Sequence, residues 1–181
     1  MNKRAIFFDR DDTLIKDVPY SGNPALVQLM PHVREALSLL KAHGLFLFII
    51  SNQSGVGLGL ISEEQVQAVN QELLRQLRED FFSGIYLCFA APDDEKDDCR
   101  KPKPGMIWRA RDDHQLNLAE SFLVGDKPAD ILCAENAGCR SVLLLTGTHG
   151  ENIEIARQKA DFVASDLLQA AEWICQAIKG K

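Results

Sequence analysis

The sequence predicts an α/β fold in which a doubly wound, mainly parallel sheet is flanked by helices. Three observations carry this expectation. Short apolar stretches, "AIFF", "LFLFII", "IYLCFA", "SFLVG", "SVLLL" and "DFVA", run without alternation and end on turn residues, as strands buried on both faces do. Helical periodicity fills intervals between them. Polar residues of complementary chemistry gather just after four of the stretches, and open α/β sheets bind their ligands beyond the carboxyl ends of the strands.

Taken in order, "AIFF" at 5–8 is the first strand, followed by the loop-like "KDVPYSGNPALVQLM". The segment "PHVREALSLLKAHG" sets Val33, Leu37 and Leu40 on one helical face, with Pro31 near its start and Gly44 as a stop signal. After "LFLFII", the stretch "SEEQVQAVNQELLRQLRED" opens with Ser62 and Gln65 at capping-box spacing and turns Val66, Val69, Leu73 and Leu77 inward. "IYLCFA" leads into a second long loop, "APDDEKDDCRKPKPG". Further helices are expected over about 105–114, 128–137 and 167–178. No repeat or low-complexity tract interrupts the chain.

The 181 residues fit one domain over 1–181, and 46% hydrophobic residues supply a core. A net charge of −6 with no long basic run speaks against a nucleic-acid partner. "LFLFII" is far shorter than the roughly 18 residues a membrane helix needs, and "AIFF" is too short for a signal-peptide core, so a cytosolic protein without membrane attachment is expected. Five cysteines without dense spacing argue against a disulfide scaffold and leave at least one thiol without an intrachain partner.

The stretch "FFDRDDT" places Asp9, Asp11 and Asp12 within four residues, where like charges oppose ionisation unless a cation or proton shares the site. Asp9 is a competent nucleophile toward phosphorus, and Asp11, two residues on along an extended backbone, projects to the same side as an acid/base. Asp126 in "LVGDKPAD" completes an oxygen set suited to Mg²⁺. Ser51, the backbone N–H groups of Asn52 and Gln53, and Lys101 or Lys127 would face a phosphate from the other side.

In their order, "DRDDTLIKDVPY", "SNQSGVGLG", "CRKPKPGM" and "VGDKPAD" resemble the motifs of the haloacid dehalogenase (HAD) phosphatase superfamily, within it the small, capless branch of heptose-bisphosphate and histidinol phosphatases. The resemblance runs from about residue 5 to 147 and implies a HAD-like Rossmannoid fold without a separate cap domain. It implies Asp9 as nucleophile, Asp11 as acid/base, and Mg²⁺ held by Asp9, the Asp11 carbonyl and Asp126, with Asp130 behind them. Ser51 and Lys101 match phosphate-orienting residues; Asn52, Gln53, Arg100 and Lys127 match positions near the substrate. The implied reaction is Mg²⁺-dependent hydrolysis of a small phosphorylated metabolite, the 7-phosphate of D-glycero-D-manno-heptose 1,7-bisphosphate first, by a monomeric enzyme.

Three departures from the family pattern stand out. Asp12 replaces Gly, Leu58 replaces Arg, and a C-x-H and C-x-C zinc pattern is reduced to Cys88-Phe89-Ala90 and Asp97-Asp98-Cys99, so Cys88 and Cys99 are expected as free thiols without structural zinc. The rival readings are a histidinol phosphatase, a nucleic-acid 3′-phosphatase, which would show salt-sensitive DNA binding, and a phospho-receiver module that holds its acyl phosphate without turnover.

Overall fold

The computed structural model describes residues 3–94, 97–147 and 152–179; Glu95 and Lys96 of the second long loop lie outside them. Strand β1 (Ala5–Phe8) runs through the middle of a parallel sheet. It pairs with β2 (Phe46–Asn52) on one side and β4 (Phe122–Gly125) on the other. With β3 (Phe82–Cys88), β5 (Arg140–Leu144) and β6 (Phe162–Ala164) the order is β3-β2-β1-β4-β5-β6, every pairing parallel. The strand order reverses at β1, and a crevice opens at the carboxyl ends on either side of such a point.

Two apolar layers sandwich the sheet. Ile6 and Phe8 join Leu37, Leu40, Leu73 and Ile174 on one face, whereas Ala5 and Phe7 join Phe48, Met106, Ile107 and Ala134 on the other. This two-residue alternation explains why β1 is apolar throughout: each side chain meets a helical layer. Those layers are α1 (Val33–Ala42), α3 (Glu63–Leu77) and α7 (Leu167–Lys179) against α4 (Gly105–His114) and α5 (Pro128–Ala137). The predicted capping box is present: the Gln65 N–H donates to Ser62 Oγ while the Ser62 N–H donates to Gln65 Oε1.

Two helices were not expected from the sequence. α2 (Ser54–Gly57) is a single turn after β2, and α6 (Ile153–Lys159) buries only Ala156, too little to leave an apolar stripe. β3 spans 82–88 rather than the expected 85–90, since Phe82 already pairs with Leu47. No helix among the described residues is long and apolar enough to cross a membrane.

Candidate active site

The chain leaves β1 at Asp9, whose N–H donates to Val124 O on β4 at 2.9 Å, so the first acid is pinned in the crevice between the two strands. Ser51 and Asn52 end β2 beside it, Asp126 follows β4, and Asp130 lies in the first turn of α5. Asp9, Ser51, Lys101, Asp126 and Asp130 are all at least 95% buried.

Lys101 joins these elements. Its ammonium donates to Asp9 Oδ1 at 2.7 Å and to Ile50 O at 3.3 Å, and pairs with Asp130 Oδ1 at 2.6 Å. Burial alone would pull the lysine down, but the carboxylates of Asp130 and Asp9 outweigh it and hold the ammonium above its usual range. Burial likewise pushes toward a higher Asp9, and the charges of Lys101 and Lys127 reverse this, leaving it ionised below the usual carboxylate range. Asp130 takes the Lys127 N–H at 3.0 Å with its second oxygen, so one side chain caps α5 and fixes Lys101. Gly125 is required here: a Cβ at this position would sit 2.3 Å from Asp130 Oδ2.

Asn52 holds the loop that carries the lysine. Its Oδ1 accepts the Lys101 N–H at 3.0 Å and its Nδ2 donates to Lys101 O at 3.1 Å. The expectation that the Gln53 N–H faces a phosphate is corrected, because it donates to Cys88 O at 2.7 Å. The Gln53 side chain turns inward instead, with Nε2 donating to Ser51 Oγ at 2.8 Å and Asp11 Oδ2 at 3.0 Å.

The opening acids do not share one environment. Asp9 groups with Asp126 and Asp130, their oxygens within 4.8 Å of one another. Asp11 pairs instead with Arg10, whose Nε and Nη2 reach it at 3.0–3.1 Å, while Nη1 donates to Asn70 at 2.9 Å. Asp12 adopts the left-handed conformation, φ 57°, that Gly meets without strain and Asp tolerates. Its Oδ1 accepts the Asp17 N–H at 3.0 Å.

Asp126 is the exception. Both its oxygens are buried without a hydrogen-bond partner, and burial, followed by the Asp9 charge, pushes its carboxyl up to about 8. Unpartnered hard oxygens beside Asp9 fit a small divalent cation such as Mg²⁺. The loop after β5 closes over this acid: a Cβ on Gly147 would lie 2.0 Å from Asp126 Oδ2, and Thr146 Oγ1 donates to Asp12 O.

A cavity of about 220 Å³ opens beside the cluster, lined inwardly by Arg10, Asp11, Asn52, Gln53 and Lys127. Arg100 is not among its lining residues; its N–H donates to Asp97 Oδ2 at 2.8 Å, and its Nη1 is shut from solvent without a partner. The free-thiol expectation for Cys88 and Cys99 is also corrected. Their sulfurs are joined in a disulfide, because Cys88 ends β3 beside the turn where Asp97 accepts the Cys99 N–H. Cys133, Cys139 and Cys175 are free.

The HAD-hydrolase-like family model matches residues 98–170. The D-glycero-beta-D-manno-heptose-1,7-bisphosphate 7-phosphatase of Haemophilus ducreyi is 36% identical over 182 residues, spanning 96% of this chain and all of the relative. The chain belongs to the heptose-bisphosphate phosphatase family of HAD-like hydrolases. The corresponding 7-phosphatase of Thermosynechococcus vestitus is 36% identical over 97% of each chain. The solved D,D-heptose 1,7-bisphosphate phosphatase of B. bronchiseptica, complexed with magnesium and phosphate, superposes with a TM-score of 0.84 at 27% identity, covering 96% of this chain and 99% of that one.

Sequence reading missed Arg10, Asn70 and Gly147. Arg10 could have been found, since a cation between two acids in "DRDD" is the nearest group able to neutralise one of them. Asn70 lies 60 residues from Arg10, and no local pattern signals that contact.

Proposed function

We propose that this protein is a phosphomonoesterase that removes the 7-phosphate of D-glycero-D-manno-heptose 1,7-bisphosphate through a phosphoaspartate on Asp9. The observation that carries the chemistry is the buried Asp9–Lys101–Asp130 chain beside the unpartnered Asp126. The names of the near-full-length relatives support the heptose over histidinol phosphate.

Lys101 keeps Asp9 ionised and offsets the charge that an approaching phosphate would add. An Asp9 oxygen forms the new bond to phosphorus as the sugar oxygen leaves with the electrons of the broken P–O bond. Asp11, on the cavity wall, gives that oxygen its proton and then takes one from the water that attacks the acyl phosphate. Gln53 fixes Asp11 against Ser51, whose buried hydroxyl, with Lys127, faces the phosphate oxygens. Mg²⁺ held by Asp9, Asp126 and the Asp11 carbonyl would supply further neutralisation of the phosphate charge. Because the acceleration needed for monoester hydrolysis reaches about 10²¹-fold, several such groups must act together.

The reading includes one catalytic domain acting as a cytosolic monomer on a small metabolite, consistent with the net charge of −6, which disfavours a polyanionic partner. The test is phosphate release from heptose 1,7-bisphosphate, histidinol phosphate and a 3′-phosphorylated oligonucleotide, each with Mg²⁺ or EDTA. Mg²⁺-dependent release from the heptose is expected; preference for another substrate would reject the assignment.

A further inference from the structure

Helix α3 turns Val66, Val69, Leu73 and Leu77 into the core, and Asn70 is buried with them, 2% exposed. It is the one polar side chain among the buried residues of this helix. For packing alone a leucine would serve better. Asn70 Nδ2 is shut from solvent without a hydrogen-bond partner among the described residues, and a buried donor in that state is a cost that an apolar side chain avoids. What the asparagine supplies is Oδ1, which accepts Arg10 Nη1 at 2.9 Å. Arginine has no acceptor, so the atom of Asn70 that faces it must be the oxygen.

The opposite edge of the same guanidinium meets Asp11. Nε reaches Oδ1 at 3.1 Å, while Nη2 lies 3.0 Å from both Oδ1 and Oδ2. The guanidinium is planar, so fixing Nη1 also fixes the direction in which Nε and Nη2 point. Without that far anchor the long arginine stem is free to rotate, and pairing with the adjacent residue leaves the plane of the Asp11 carboxyl undetermined. Gln53 adds one donor, to Oδ2 at 3.0 Å, which restrains a single oxygen. Asn70 thus lies behind Arg10 as Arg10 lies behind Asp11, and Asp11 in turn lines the cavity.

We infer that Asn70 is a positioning residue for proton transfer, acting through Arg10 to set the orientation of the Asp11 carboxyl. This rests on the phosphatase reading above and deepens it. As the ester P–O bond breaks and its electrons pass to the sugar oxygen, that oxygen takes the proton from Asp11, and the transfer succeeds only along a well-aimed O–H bond. Asn70 touches neither the substrate nor the phosphorus, so its loss falls on the esters whose leaving group needs the proton.

The test compares kcat/KM for heptose 1,7-bisphosphate and 4-nitrophenyl phosphate at saturating Mg²⁺ in the wild type, Asn70→Leu, Asn70→Asp, Arg10→Met and the Asn70→Leu, Arg10→Met double variant, with each fold checked by circular dichroism. kcat/KM covers the steps up to departure of the leaving group, and a nitrophenolate departs without a proton. Asn70→Leu should lower the sugar ester about tenfold or more, the lower end of what a hydrogen bond to a charged group contributes, and the aryl ester less than about threefold. Asn70→Asp keeps an oxygen opposite Nη1 and should return the sugar-to-aryl ratio to within about threefold of the wild type. The double variant should lose no more of that ratio than Arg10→Met alone, since the two residues act in series. Equal losses on both esters in a folded Asn70→Leu, or no recovery in Asn70→Asp, would overturn the inference, because loosened packing or a disturbed metal site slows both esters alike. If Asn70→Leu does not fold, Arg10→Met carries the test, and an unchanged ratio there rejects the inference as well. If the wild type releases phosphate from neither ester, it is the phosphatase assignment that fails.

Discussion

Replacing Lys101 by Met keeps the length and apolar stem of the side chain and removes the ammonium. In the wild type that ammonium lies 2.7 Å from Asp9 and 2.6 Å from Asp130, with its side chain 4% exposed. Its loss leaves the buried carboxylates of Asp9 and Asp130 facing one another without the ammonium that touches both, and Lys127 is the remaining nearby cation. Breaking a buried ion pair from one side costs about 3–5 kcal/mol. For a chain of this size each kcal/mol moves the melting midpoint by about 2–4 °C, so Lys101→Met should melt about 6–20 °C below the wild type at pH 8 in EDTA. The pH dependence identifies the cause. The wild-type lysine is raised above its ordinary value, so its contribution is complete throughout neutral pH and is lost only at strongly alkaline pH. In the variant, burial raises Asp9 and Asp130 against only the Lys127 charge on Asp9 and single backbone N–H bonds from Arg10 to Asp9 and from Lys127 to Asp130. Acids raised on folding weaken the fold as pH climbs above their unfolded values, so the deficit should shrink between pH 8 and pH 5. Thermal melts of both proteins at the two pH values measure this. A variant that melts within about 2 °C of the wild type at pH 8, or whose deficit ignores pH, would refute the idea that Lys101 holds these acids together.

Asp9→Asn should fold normally and release no phosphate, because an amide is neither a nucleophile toward phosphorus nor a good Mg²⁺ ligand; steady-state turnover decides it. Asp11→Asn should lose about 10²- to 10⁴-fold with a sugar phosphate and much less in the first step with an aryl phosphate, whose leaving group needs no proton. Asp126→Asn should stabilise the metal-free protein at pH 8, since a carboxyl raised on folding from 3.8 to about 8 costs stability progressively as pH climbs through that window. The same substitution should remove the rise in melting temperature that Mg²⁺ gives the wild type. Protein purified without added metal should carry less than about 0.2 equivalents of zinc, measured by elemental analysis, and thiol titration after non-reducing denaturation should find Cys133, Cys139 and Cys175 but not Cys88 or Cys99.

What could be read from the sequence depended on how local each cause is. β1 was legible because both of its faces are buried, which makes the run apolar throughout, and α4 and α5 fall where the helical pattern set them, at about 105–114 and 128–137. α6 was not, since a helix that buries only Ala156 leaves no periodic trace. The clustered acids stated that cations must be present but could not assign a partner to each. Those partners arrive from distant parts of the chain: Lys101 is 92 residues from Asp9, and the Asn52 clamp on Lys101 spans 49. The exceptions are local, with Arg10 beside Asp11 and the Asp17 N–H on Asp12.

The assignment of those partners by the fold is what gives each acid its separate chemistry. Asp9 is neutralised by Lys101 and kept ionised, the state a nucleophile needs. Asp11 is held by Arg10 and Gln53 on the cavity wall, the position that the proposed acid/base role requires. Asp12 is spent on the backbone of the loop at Asp17. Asp130 caps a helix and anchors the lysine. Asp126 alone of these five acids has neither a cation nor a donor on its oxygens among the described residues. A carboxyl left in that state keeps a proton up to about pH 8, so a divalent cation bound between Asp126 and Asp9 has to displace that proton, and the stability it adds should grow as pH rises.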